Sequence, residues 1–132
     1  MRLKVNNNEQ CVGCLQCELI CSISHEDTFS PWLSRLHIQR EELILECKPV
    51  ICLQCKNAKC ASACPVDAIK LDNNGILRVD NSLCSGCYLC VEACPFDAMF
   101  FNTVENIALK CDLCGGEPNC VKVCPANVLL VG

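Results

Sequence analysis

Cys84, Cys87, Cys90 and Cys94 stand in a C-x2-C-x2-C-x3-C run closed by Pro95. Thiolates at this spacing are the ligand pattern of a [4Fe–4S] cluster. Three on a tight loop hold three corners of one cube. The fourth follows a helical turn and reaches a second cube wherever two such motifs are paired. Pro95 fixes φ and has no N–H, so it turns the chain out of that helix. Three more sets occur. Cys11, Cys14, Cys17 and Cys21 repeat the compact spacing. Cys52, Cys55, Cys60 and Cys64 have two extra residues before the third ligand, and Cys111, Cys114, Cys120 and Cys124 have three, through Gly115-Gly116-Glu117-Pro118.

The elements that must position these thiols show an internal repeat. Lys59–Ile69 recurs 30 residues later as Leu89–Met99 and after 30 more as Asn119–Leu129. Each copy reads as a helical turn, a Cys-Pro stop and the start of a strand. The first set departs from this, because Ser22 follows Cys21 where the others have proline, and its helix is expected to continue through Ile23 and His25. Ile69–Asp72 and Ile76–Asp80 flank an Asn73-Asn74-Gly75 turn and predict a β-hairpin. Ala98–Asn102 and Asn106–Lys110 predict a second. Leu3–Val5, Val128–Val131, Arg35–Arg40 and Leu43–Cys47 read as further short strands, the last two flanked by Pro31 and Pro49. Short helices mixed with short hairpins make the fold class α+β.

Composition agrees with a metal-filled interior. Taking the 17 cysteines out of a nominal 52% apolar content leaves roughly 39%, below the ordinary ~45–50%. With 132 residues, the chain buries a modest share of its surface, and inorganic clusters would supply the missing core and folding free energy. Residues 1–10 lack a charged segment followed by an apolar one, and no apolar run reaches the ~18 residues of a membrane span. A cytoplasmic, oxygen-sensitive protein is expected, in which dense cysteines mean metal or redox chemistry. The formal net charge is −4, and four cubes with their thiolates would bring it to the order of −12. That disfavours nucleic acid and anionic lipid and favours a partner with basic groups.

Spacing leaves two ways to pair the motifs. The 19 residues between the second and third sets are one hairpin's worth, so these two resemble a compact two-cluster ferredoxin around which the first and fourth sets would close. In this nested scheme one cube takes Cys52, Cys55, Cys60 and Cys94, and another takes Cys84, Cys87, Cys90 and Cys64. The outer cubes take Cys11, Cys14, Cys17 with Cys124, and Cys111, Cys114, Cys120 with Cys21. The rival pairs first with second and third with fourth. The 30-residue gap from Cys21 to Cys52 counts mildly against it, but both schemes match one compact set with one expanded set.

Cys11-Val12-Gly13-Cys14-Leu15-Gln16-Cys17-Glu18, Pro49-Val50-Ile51-Cys52-Leu53-Gln54-Cys55 and Lys110-Cys111-Asp112-Leu113-Cys114-Gly115-Gly116-Glu117-Pro118 are the segments that carry a family likeness. Through them the chain resembles the ferredoxin-like electron-transfer subunits, with four [4Fe–4S] clusters, of molybdenum and tungsten oxidoreductases, hydrogenases and carbon monoxide dehydrogenases. The segment His25–Leu36 is similar to members serving tungsten aldehyde oxidoreductases. The resemblance implies the nested pairing and a ferredoxin-like fold of two pseudo-symmetric two-cluster modules. Residues 1–132 would form one domain, with an inner module at 49–100 and an outer one at 1–48 plus 101–132. It also implies a large catalytic partner and a downstream ferredoxin, flavoprotein or NAD(P)-reducing module. The chain reads as a minimal version, without the insertions and extensions of longer members.

Plainer readings compete at several residues. Zinc sites use two C-x2-C pairs on separate loops, which fits these runs less well than cubes do. Cys47 reads as an inert, half-buried strand residue. His25 and His37 read as helix-end or interface groups, since no cysteine set lacks a member. Asp67 and Asp97 read as side-chain turn caps. Gly13 and Gly86 let backbone N–H groups approach cluster sulfurs. Phe29, Trp32 and Leu33 are either core or a partner-docking anchor. No nucleophile–base set, phosphate loop or dinucleotide fingerprint is present. The expected function is therefore a non-catalytic electron-transfer subunit. A free-standing polyferredoxin is the alternative, and an enzyme with a site-differentiated cube the third reading.

Overall fold

The computed structural model describes residues 2–6, 10–41 and 46–132. Apart from the first, its α-helices are short because the ligand loops leave room for little more than a turn. The helices are α1 (Gln16–Glu26), α2 (Lys59–Ala63), α3 (Leu89–Ala93) and α4 (Asn119–Val123). The strands are β1 (Leu3–Val5), β2 (His37–Glu41), β3 (Glu46–Val50), β4 (Ile69–Leu71), β5 (Leu77–Val79), β6 (Phe100–Asn102), β7 (Ile107–Leu109) and β8 (Leu129–Val131). They form four antiparallel two-stranded ribbons, β1–β8, β2–β3, β4–β5 and β6–β7. The first joins the two ends of the chain, with Lys4 opposite Leu130.

The 30-residue repeat survives in three dimensions. Helices α2, α3 and α4 each end on a cysteine, Cys64, Cys94 or Cys124, whose φ is −76°, −70° or −69° with ψ between 112° and 117°. The following proline forces this, because its ring excludes the helical region for the residue before it. Helix α1 has no such stop and runs on past Cys21 to Glu26 through Ile23 and His25, as the serine at position 22 predicts. Helix α1 packs on α4, and α2 on α3.

Both predicted hairpins form. In the first, Asp72 Oδ1 accepts the N–H groups of Asn74 and Ile76 at 2.8 and 3.0 Å, and Gly75 supplies a φ of +77°. The Arg35–Arg40 strand starts later than expected, at His37. Residues 42–45, where the next strand was expected to begin, lie outside the described residues. Pro49 was expected to flank β3 but sits inside it, opposite Ile38. In a two-stranded ribbon alternate N–H groups point away from the partner strand, so a proline is tolerated there.

The interior is divided into two apolar clusters. One gathers Leu3, Leu36, Leu113 and Leu129 with Cys17, Cys21, Cys52, Cys111 and Cys120; the other gathers Ala58, Ile69, Met99 and Ala108 with Cys60 and Cys90. Cysteines thus stand where larger hydrophobes would normally fill a core. Among the described residues no helix is long and apolar enough to cross a membrane.

Candidate iron–sulfur centres

The thiols are held by loops that turn through left-handed backbone. Gly13 (φ +67°) and Leu15 (+61°) bend the first loop, Gln54 (+48°) the second, Gly86 (+75°) and Tyr88 (+71°) the third, and Leu113 (+55°) and Cys114 (+51°) the fourth. Two of these positions also require the absence of a side chain. A Cβ on Gly13 would lie 2.9 Å from Cys47 Sγ, and one on Gly86 would lie 2.7 Å from the Asn106 carbonyl oxygen. Cys47 is a half-buried β3 residue, as expected, and its thiol lies against the first ligand loop.

Three cavities are lined by four cysteines each. Cys11, Cys14, Cys17 and Cys124 surround the first, with Ile38, Pro49 and Leu129 among the walls. Cys64, Cys84, Cys87 and Cys90 surround the second, and Cys52, Cys55, Cys60 and Cys94 the third. The remaining four converge where α1 meets α4. Cys120 lies close enough to Cys21 and Cys114, and Cys111 to Cys21 and Cys120, for their charges to repel. In each Cys-Pro copy, then, the last cysteine faces away from its own loop.

Each of those last cysteines receives a hydrogen bond. The N–H groups of Ala68, Ala98 and Val128 donate to Cys64, Cys94 and Cys124 Sγ at 3.2, 3.4 and 3.3 Å. The residue before each donor, Asp67, Asp97 or Asn127, has a φ of +51°, +54° or +52°. This corrects the reading of Asp67 and Asp97 as side-chain caps: among the described residues their side chains accept no hydrogen bond. Their part is conformational. Asp and Asn tolerate the left-handed region better than most residues, and that bend points the next N–H at the sulfur four positions back. Cys21 lacks the Cys-Pro turn, and the Arg35 N–H donates to its Sγ instead, at 3.2 Å.

Burial dominates the electrostatics. It pushes the Cys17 and Cys120 thiols up to about 12 and the Cys90 thiol up to about 11, and it raises Cys111 further. Repulsion from neighbouring cysteines adds to the effect. Cys21 is lowered despite its burial, by hydrogen bonds from His25 and the Arg35 N–H. Four crowded, desolvated thiols cannot all ionise unless a positive centre lies among them. An all-sulfur donor set with largely apolar walls suits the iron of a cluster. The residues present fit that group.

Several residues around the thiols had no role assigned from sequence. Gln54 donates through Nε2 to the carbonyls of Leu77 and Cys111 at 3.2 and 2.8 Å and accepts the Leu77 N–H at 2.8 Å. It ties the second loop to β5 and to the fourth set. Lys110 Nζ lies 3.0 Å from Cys52 Sγ. Asp112 accepts from Arg78 at 3.0 Å and from the Cys114 N–H at 2.9 Å, and it pairs with His25 at 2.7 Å. The hydrogen bond to Asp112, with help from Cys21, pushes His25 up to about 10. Their signal in the sequence was position alone, between or beside cysteines. His37, at the start of β2, stacks edgewise on Phe100 and pairs with Glu18 at 3.3 Å. Phe29 and Trp32 are 69% and 70% exposed, so the core reading fails for them; Leu33 is half-buried.

Short strands and helices wrapped around cysteine-lined cavities define an iron–sulfur protein of ferredoxin-like build. Residues 43–132 match the 4Fe-4S dicluster domain family, and the chain belongs to that family. Its clusters are accordingly of the [4Fe–4S] type. Electron transport protein HydN of Escherichia coli K12 is 32% identical over 93 residues, 65% of this chain and 51% of that protein. Formate hydrogenlyase subunit 2 of the same organism is 35% identical over 89 residues, 67% of this chain and 42% of that protein. The matched stretch thus spans about half the length of these curated relatives. The active site complex BamBC of benzoyl coenzyme A reductase contains a chain that superposes on 98% of this one and 75% of its own length, with a TM-score of 0.58 at 26% identity.

Proposed function

We propose that this chain is a non-catalytic electron-transfer subunit whose sixteen motif cysteines hold four [4Fe–4S] clusters in the nested arrangement. Each cluster, when bound, accepts and releases one electron. The observation that carries the reading is the succession of thiol groupings. Cys17 neighbours Cys120, Cys111 neighbours Cys52, and Cys60 neighbours Cys90. The order along the molecule is therefore the Cys11 grouping, the Cys111 grouping, the Cys52 grouping and the Cys84 grouping. The exposed cysteines, Cys14 and Cys87, belong to the two end groupings. The chain provides insulation between, and contact at, the ends.

Support for the nested assignment comes from Cys124 lining the Cys11 cavity, and from Cys94 and Cys64 lining each other's cavities. In this arrangement four thiols face every site, which leaves no iron open for a substrate. The domain division follows the same pairing, with an inner module over 49–100 and an outer one from 1–48 and 101–132.

A catalytic partner is part of the proposal. Formate hydrogenlyase subunit 2 and the BamBC complex are named as parts of a formate hydrogenlyase and a benzoyl coenzyme A reductase, and the segment 25–36 favours a tungsten aldehyde oxidoreductase type. The far end would deliver electrons to a ferredoxin, flavoprotein or NAD(P)-reducing module. Exposed Phe29 and Trp32 suit a permanent subunit better than a freely diffusing polyferredoxin, whose surface should be acidic throughout. Anaerobic purification of the native protein with iron and sulfide analysis tests the reading. About sixteen irons per chain, with every iron sulfur-ligated by Mössbauer spectroscopy, and a co-purifying large subunit are expected. Zinc, disulfides or one uniquely ligated iron would overturn it, and a stable lone chain would favour the shuttle.

A further inference from the structure

Lys110 is a buried cation, 6% exposed, among the candidate clusters. It lines the Cys52, Cys55, Cys60 and Cys94 cavity, with Nζ 3.0 Å from Cys52 Sγ, and it directly precedes Cys111 of the adjacent grouping. A buried ammonium requires a negative partner. Among the described residues no carboxylate pairs with Lys110, so sulfur fills that place.

The other charged side chains near the thiols, His25 beside Cys21 included, are paired with carboxylates or exposed. His25 is committed to Asp112 at 2.7 Å, and Arg78 to Asp72 and Asp112 at 2.6 and 3.0 Å. Arg40 donates to the Gly13 carbonyl at 2.8 Å on an exposed face, where water screens it. The backbone N–H bonds at Cys64, Cys94 and Cys124 are repeats of one another and cancel in any comparison between those sites. Among the described residues, Lys110 is the buried cation that sits directly against a sulfur with no carboxylate partner.

Reduction adds one negative charge to a cluster, and a fixed cation nearby in a weakly polar interior stabilises that state. We propose that Lys110 raises the potential of the cluster held by Cys52, Cys55, Cys60 and Cys94 above those of its neighbours. The first electron taken from a low-potential one-electron donor, such as dithionite, comes to rest at this interior site. No bond or proton changes hands. A partner touching either exposed end then exchanges electrons with an internal store. The inference rests on the reading that those four thiols hold a cluster.

Potentiometric titration of the anaerobic holoprotein, followed by EPR, tests it. In Lys110→Met the species reduced first in the native chain should lose at least a factor of ten in reduced-to-oxidised ratio at the native midpoint, equivalent to ~59 mV for a one-electron couple. The other couples should move less, and Lys110→Arg should stay near native. A Lys110→Met protein with full iron and unshifted couples would overturn the proposal. Cys55→Ser in an otherwise native chain keeps the question decidable if Lys110→Met loses iron: it should abolish or shift the first-reduced signal, and survival of that signal unchanged overturns the proposal. Native protein with only about twelve irons would instead sink the four-cluster reading, and this inference falls with it only if Cys55→Ser leaves the first-reduced signal unchanged.

Discussion

The imidazole of His25 bridges Cys21 and Asp112: Nε2 lies 2.7 Å from Asp112 Oδ1, while Nδ1 lies 2.9 Å from the Cys21 carbonyl oxygen and 3.8 Å from its sulfur. One ring thereby links the end of α1 to the loop that carries Cys111 and Cys114. His25→Leu should leave the half-buried Asp112 carboxylate without that partner and lower stability by ~1–3 kcal/mol. Thermal melts that follow cluster absorbance would show it, with EPR changes concentrated in the Cys21, Cys111, Cys114 and Cys120 cluster.

Cys94→Ser should damage the site of Cys52, Cys55 and Cys60 more than the site of its own loop, because its thiol lines that cavity. About four of sixteen irons should be lost or altered, and the reciprocal Cys64→Ser should affect the Cys84 site. Iron analysis with EPR of the two variants checks this. Loss of the Cys84 cluster in Cys94→Ser would contradict the nested assignment.

Asp97 serves through its backbone, at φ +54°. Asp97→Val should cost ~1–2 kcal/mol, since a β-branched residue resists the left-handed region, while Asp97→Asn and Asp97→Gly should be close to neutral. Denaturant unfolding under anaerobic conditions measures the series. Equal cost in all three would mean that the carboxylate itself matters.

Gly86 and Gly75 make a matched pair, with φ of +75° and +77°. An added Cβ meets the Asn106 carbonyl at 2.7 Å in one case and nothing within 4 Å in the other. Gly75→Ala should cost ~1 kcal/mol from backbone strain alone, and Gly86→Ala more, with weakened cluster retention in the Cys84 loop. Melting temperatures and iron content of the two variants separate strain from collision.

Removal of iron by an anaerobic chelator should unfold the chain rather than leave a folded apoprotein. Five of the twelve buried residues in the larger apolar cluster are cysteines, and without iron nothing links these thiols across the interior. Far-UV circular dichroism before and after chelation checks this.

The sequence by itself determined the local pieces. Cysteine spacing marked the ligand loops, Cys-Pro fixed where α2, α3 and α4 stop, and the missing proline after Cys21 foretold the longer α1. These are short-range effects, in which a residue's neighbours restrict its own φ and ψ. Tertiary structure decided which last cysteine faces which loop, because that depends on α1 packing against α4 and α2 against α3 across long stretches of chain. It also gave Gln54, Lys110 and Asp112 their parts, and exposed Phe29 and Trp32. A polar side chain between two cysteines reads the same whether it meets water or a sulfur atom, and only the folded chain fixes its neighbour.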